Sequence, residues 1–150
     1  MSNKAVEFIS ALSIDQSLVD RLSQLSFSPS GTRRICVHES ETSALHGMLV
    51  ESVRGSTFPA HYHSDGDEVT IPISGRLEIM AWDKGPTGKP TRLVLGPGPQ
   101  DTKIAFLRRN VPHTTKALGG NCVYFEVKLG PFKKDALVQV SGADLEGYES

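Results

Sequence analysis

Cysteine is scarce in this sequence, with Cys36 and Cys122 the only two in 150 residues. Two thiols are too few to staple a small secreted scaffold, so a disulfide-dense extracellular module is excluded and a reduced, cytoplasmic protein is expected. Long hydrophobic runs are missing as well. The N-terminal stretch 5–14 is the one candidate, and Glu7 interrupts it, so neither a membrane span nor a leader is expected. No excess of charge of one sign exists. Sixteen Lys and Arg stand against seventeen Asp and Glu, for a net charge of −1, and no long basic run offers itself to nucleic acid or a membrane surface. Internal repeats and low-complexity stretches are absent too. What remains has the length of one common domain and can bury a core unaided.

Residues up to about Leu25 are expected to be helical. Ser13 with Gln16 three positions later makes a capping-box pair, and Ile14, Leu18, Leu22 and Leu25 recur at helical spacing, a stripe that packs on a sheet. Pro29 and Gly31 break this helix. Short strands follow. Residues 33–38 alternate, with Ile35 and Val37 on one face and Arg34, Cys36 and His38 on the other. Further strands are predicted over 45–52, 69–73, 76–83, 91–95, 103–107 and 121–129, the last with Val123, Phe125 and Val127 on one face. Glycine and proline punctuate them at 84–89 and 96–99. The pattern predicts an all-β sandwich or barrel. Its organisation is a helical extension over 1–30, a barrel over 31–132, and an acidic, partly disordered tail over 133–150.

The chemistry concentrates in residues 55–75, GSTFPAHYHSDGDEVTIPISG. His61 and His63, two apart on a strand, aim both imidazoles to one side, while Tyr62 points the other way. Residues 64–67 make a tight polar turn that returns Glu68 to the same space. Two neutral imidazoles and a carboxylate from neighbouring strands suit a borderline divalent metal. On the strand that follows, Thr70 and Pro72 share the face of Glu68. Val69, Ile71 and Ile73 then point outward, a β-branched row that needs a cover from the N-terminal helix or a partner subunit. Pro72 cannot donate to a ladder, so a bulge or edge is expected there.

Glycine, five residues, His-x-His, four residues, glutamate, six residues and glycine is the spacing of the first cupin motif, and Gly55, His61, His63, Glu68 and Gly75 fill every position. The sequence therefore resembles the cupin superfamily. The resemblance implies a single-domain double-stranded β-helix, the RmlC-like jelly roll, with one divalent transition metal held by three histidines and one glutamate. The third histidine it implies is His113, because Val111-Pro112-His113 is similar to the end of the second cupin motif. That motif departs here, with Arg108 and Asn110 in place of proline and glycine and Ala117 in place of asparagine. Asn110 tolerates the left-handed turn position, and His46 or His38 would be the substitute ligand. The early helix, Arg33-Arg34, His38 and Glu126-Val127-Lys128 before Gly130-Pro131-Phe132 narrow the resemblance to WbuC-like cupin metalloproteins, over about residues 15–132.

A metal with three histidines and a glutamate keeps positions open for water or substrate, as catalytic sites do. Fe, Mn, Ni, Co, Cu and Zn are all compatible. The function expected is a metal-dependent enzyme acting on a small polar metabolite, such as a sugar or sugar derivative, by isomerisation or oxygenation. Thr70 and Arg76 are the expected substrate-orienting residues. Metal affinity is expected to fall below about pH 6.5, the reference histidine value. The alternative from another class is a metal-bearing ligand-binding or sensor module without turnover. The expected partners are a small molecule and a second copy in a homodimer, with no nucleic acid and no membrane.

Overall fold

Two long antiparallel strands form the spine of the molecule, which is described over residues 3–148 by a computed structural model. They are β5 (Glu68–Ala81) and β8 (His113–Leu129), paired along nearly their whole length. The other edge of β8 carries β3 (Leu45–Ser52) beside its second half and β4 (Thr57–His63) beside its first. Strands β1 (Val6–Phe8) and β2 (Thr32–Cys36) extend the sheet beyond β3, and β9 (Leu137–Gln139) extends it beyond β4. β6 (Thr91–Leu95) and β7 (Ala105–Leu107) pair with the two halves of β5. The nine strands curl into one all-β, single-domain barrel, with helix α1 (Gln16–Leu22) on its outside.

Glycine reads as a strand end in sequence, so β5 and β8 were expected as shorter pieces. Both run through their glycines instead, because register shifts absorb them. β5 slips against β8 on either side of Ser74, the bulge that Pro72 foretold, and Gly75 lies there at φ +72°. The first slip leaves one extra residue on β5 and the second leaves three on β8, and an odd excess flips the inward-facing parity of the strand that carries it. Glu68 and Thr70 are buried before the slips, Leu77 and Ile79 after them. β8 makes the matching change around Gly119, at φ +73°, passing from His113 and Ala117 to Cys122 and Tyr124. Leu77, Ile79, Ala117, Cys122 and Tyr124 join Met48, Val50, Leu95 and Leu107 in the barrel core.

The N-terminus departs from the expectation of continuous helix. Residues 6–8 pair in parallel with β2, and only Gln16–Leu22 is helical. Asp15, rather than Ser13, is the N-cap, its carboxylate accepting from the Leu18 amide at 3.1 Å. The apolar stripe behaves as expected. Leu18, Leu22 and Leu25 pack on Ile35, Leu49 and Val123, with Ile14 and Phe125 beside them. Arg33 fastens the end of this helix: its guanidinium donates to the Ser23 and Leu25 carbonyls and pairs with Glu51 at 2.7 Å.

The tail differs as well. β9 pairs with β4, Leu145 packs with Ala60 and Trp82, and the Trp82 indole donates to the Glu146 carbonyl at 2.8 Å. Residues 1–2 and 149–150 of the expected extension and tail lie outside the described residues. Among the described residues, no helix is long and apolar enough to cross a membrane.

Candidate metal centre

β4 delivers two histidines to the barrel interior because its register slips between Phe58 and His61, which turns His61 and His63 inward. β8 begins at His113, the register partner of His61. The lead into His113 is a turn with Asn110 at φ 65°, the left-handed position expected of it, and the Asn110 amide donates to the His63 carbonyl at 2.9 Å. All three imidazoles are buried, and their ligand nitrogens lie within 4.8 Å of one another.

Two of the rings are held in one orientation. His61 Nδ1 lies 2.8 Å from the Pro59 carbonyl and His113 Nδ1 lies 3.0 Å from that of Val111. Carbonyls only accept, so each Nδ1 carries the proton and each Nε2 turns a lone pair inward. Burial lowers the pKa of both rings. For His61, burial and the neighbouring His113 bring it down to about 4, against backbone and carboxylate interactions that raise it. For His113, burial outweighs the opposing pull of Glu68. Neutral imidazoles are the form that metals bind.

Glu68, at the head of β5, reaches the triad on the His63 side, its Oε2 3.2 Å from His63 Nε2. Beyond that contact, the Nε2 atoms of His63 and His113 are buried without a hydrogen-bond partner among the described residues. Burial pushes the Glu68 carboxyl up, but His63, His113 and Lys128 together hold it below the usual value. Three buried ring nitrogens turned to one cavity, with a carboxylate beside them, fit a first-row divalent cation.

The remaining candidates separate. His38 and His46 stack on each other with centroids 4.0 Å apart, and His38 Nδ1 sits 3.0 Å from the Gly47 carbonyl, so neither joins the triad. Thr70 is buried on the face of Glu68 but is not a wall of the triad's cavity. Arg76 is not among the residues that line the triad's cavity. It follows the slips in β5, its side chain is half-exposed, and it pairs with Asp101 at 2.7 Å, away from the site.

The cavity walls were instead supplied by residues that spacing did not single out as functional. Arg34, Thr115, Tyr124, Glu126 and Lys128 line it. Burial and the facing Glu68 push the Glu126 carboxyl up to about 8, against the pull of Arg34 and Lys128. Alternation had put Arg34 opposite Ile35, which was the available signal, but it did not say what that face would enclose. The paired arginines divide the work: Arg33 holds the helix outside and Arg34 faces the cavity.

Solved structures of similar fold place this architecture. KdgF from Halomonas sp. is 21% identical with a TM-score of 0.54, the match covering 73% of this chain and 88% of that one. Oxalate decarboxylase from Bacillus subtilis is 19% identical with a TM-score of 0.58, over 73% of this chain and 27% of that one. The DMSP lyases RdDddP and RnDddQII give 20%, 0.51, 67% and 46%. The chain thus spans most of the first and less than half of the other two. These likenesses establish the cupin fold. No curated protein matches the sequence. A family model, described as a domain of unknown function (DUF6016), matches residues 14–93, a stretch that contains His61, His63 and Glu68 but stops short of His113. The chain is a cupin-fold protein and belongs to the DUF6016 family.

Proposed function

We propose that this chain is a WbuC-like cupin metalloenzyme holding one divalent transition metal on His61, His63, Glu68 and His113. Its substrate is a small polar metabolite, with sugars and sugar derivatives included, and its reaction an isomerisation or an oxygenation. The observation that carries the reading is the convergence of the buried ring nitrogens of His61, His63 and His113 within 4.8 Å of one another, with Glu68 beside them, in a cavity that other polar side chains also line. A bound first-row ion would supply Lewis acidity, and redox chemistry where its identity allows. The protein does the rest. His61 and His113 present fixed lone pairs, and Glu126, its carboxyl pushed up by burial and by the facing Glu68, lines the same cavity.

The triad's cavity measures only about 70 Å³, and that smallness favours a second reading, a ligand-binding or sensor module without turnover. Elemental analysis of tag-free protein tests the metal itself, with about one ion per chain expected. His61→Ala/His63→Ala should remove it and leave a folded barrel by circular dichroism; a fully loaded double variant would place the metal elsewhere. Oxygenation would consume dioxygen and fail with Zn(II), whereas isomerisation would proceed anaerobically with Zn(II). No turnover with any redox-active or redox-inert metal would leave the binding module.

Assembly belongs to the same proposal. Ile73 and Phe106 are 43% and 61% exposed, with Val69 and Ile71 half-buried beside them. The helix covers Ile35, Leu49 and Val123 rather than this row. A second copy, forming a homodimer, is the proposed cover.

A further inference from the structure

Arg34, Met48 and Lys128 line the triad's cavity and also a second, larger one of about 200 Å³. The inner space has room for an ion and the few atoms bound to it, since one water takes about 30 Å³ of liquid. The outer space exceeds the roughly 150 Å³ that admits benzene. Its apolar walls are Phe8 and Phe132, 45% and 46% exposed, together with Met48. Its charged walls are Arg34 and Lys128 against one exposed carboxylate, Glu41.

Arg33 spends its guanidinium on Glu51 and two carbonyls, but Arg34, next to it, does not. Among the described residues, neither the Arg34 guanidinium nor the Lys128 ammonium has a hydrogen bond or an ion pair. Lys128 lies 5.8 Å over the Phe132 ring. Both cations are partly buried. Two such cations, without a direct ion pair and feeling Glu68 and Glu126 only at longer range, suit an anion at the partition between the inner chamber and the apolar one.

We propose that the ligand is an organic acid with an apolar body. Its oxyanion sits between Arg34 and Lys128, an adjacent oxygen points to the histidine triad, and its body lies against Phe8, Met48 and Phe132. The placement of that oxygen rests on the metal reading above and narrows its substrate from polar metabolites in general to amphipathic acids. Carboxylate and phosphate both match the arginine fork.

Calorimetric titration of metal-loaded protein with phenylpyruvate, pyruvate, phenyl phosphate and glucose tests this. Phenylpyruvate is expected to bind at least about tenfold tighter than pyruvate, because only it fills the apolar chamber. Glucose is expected not to bind. Phenyl phosphate identifies the oxyanion: weaker binding than phenylpyruvate assigns a carboxylate, tighter binding a phosphate ester. Arg34→Gln and Lys128→Gln should each weaken phenylpyruvate binding about tenfold or more while metal content and melting temperature stay unchanged. Glucose binding as tightly as phenylpyruvate, acid binding indifferent to both substitutions, or loaded protein that binds no acid would each overturn the inference. Chelator-treated protein separates the two readings. A chain that takes up no metal yet binds phenylpyruvate through Arg34 keeps this acid site and sinks the metal centre. Metal uptake with indifference to every acid does the reverse.

Discussion

Two single residues set how the site behaves. Asn110 holds a left-handed turn that connects the His63 carbonyl to His113. A β-branched side chain resists that conformation by about 1–2 kcal/mol. Asn110→Val is therefore expected to lower the melting temperature by about 2–8 °C and to weaken metal binding. Asn110→Gly should leave both near wild type; equal damage from the two would mean that the asparagine side chain matters. His61 governs the response to acid. Its folded pKa is about 4, below the roughly 6.5 of a free histidine. As pH falls from 6.5 towards 4, the unfolded chain gains a proton at this ring that the folded chain refuses. Metal-free protein should hold this contribution fully above pH 6.5 and lose on the order of 3 kcal/mol across that window, as chemical denaturation at stepped pH would read. Metal binding is shifted accordingly. The reference histidine value placed its decline below pH 6.5, but burial moves proton competition at His61 down towards 4. Metal retained at pH 5.5 in equilibrium dialysis is the expected result, and loss beginning at 6.5 would show that the rings titrate as exposed ones.

Strands and turns depend on glycines of unequal importance. A Cβ at Gly75 would come within 2.5 Å of the Asn121 carbonyl oxygen and 2.9 Å of Cys122 Cα, both backbone atoms that cannot swing aside. Gly55 also has a positive φ, but nothing lies within 4 Å of its would-be Cβ. Gly55→Ala should cost only conformational strain, about 1–2 kcal/mol, while Gly75→Ala should cost distinctly more, because β5 must shift against β8. Thermal melts of the pair check the ranking; equal losses would mean that the bulge yields easily. Gly55 and Gly75 were legible as punctuation of the metal motif, and strand 45–52 was legible to the residue. The continuity of β5 and β8 was not, because a bulged glycine and a terminating glycine look alike in sequence and only the partner strand distinguishes them. β1 escaped because a three-residue strand carries no periodicity of its own and exists by pairing with β2. Arg34, Glu126 and Lys128 come from strands almost a hundred residues apart, so only the closed barrel brings them to one cavity.

At the scale of the whole molecule, the proposed homodimer would rest on the exposed row along β5 and β7. Ile71→Asp or Phe106→Asp should turn a homodimer into a monomer, read by light scattering. A dimer that tolerates both would have its interface elsewhere. The far edge of the sheet has a different consequence. β9 pairs Leu137 with His63, Val138 with Tyr62 and Gln139 with His61, so the backbone carrying two of the proposed ligands is an open edge until residues 137–139 arrive. A ribosome makes those residues after every proposed ligand has been polymerised. On the nascent chain, His61, His63, Glu68 and His113 can all have emerged while the strand bearing the first two still lacks its neighbour. If an ion binds there, its site is framed on both edges of β4 only once residues 137–139 have joined the sheet, whatever the order in which its ligands were made.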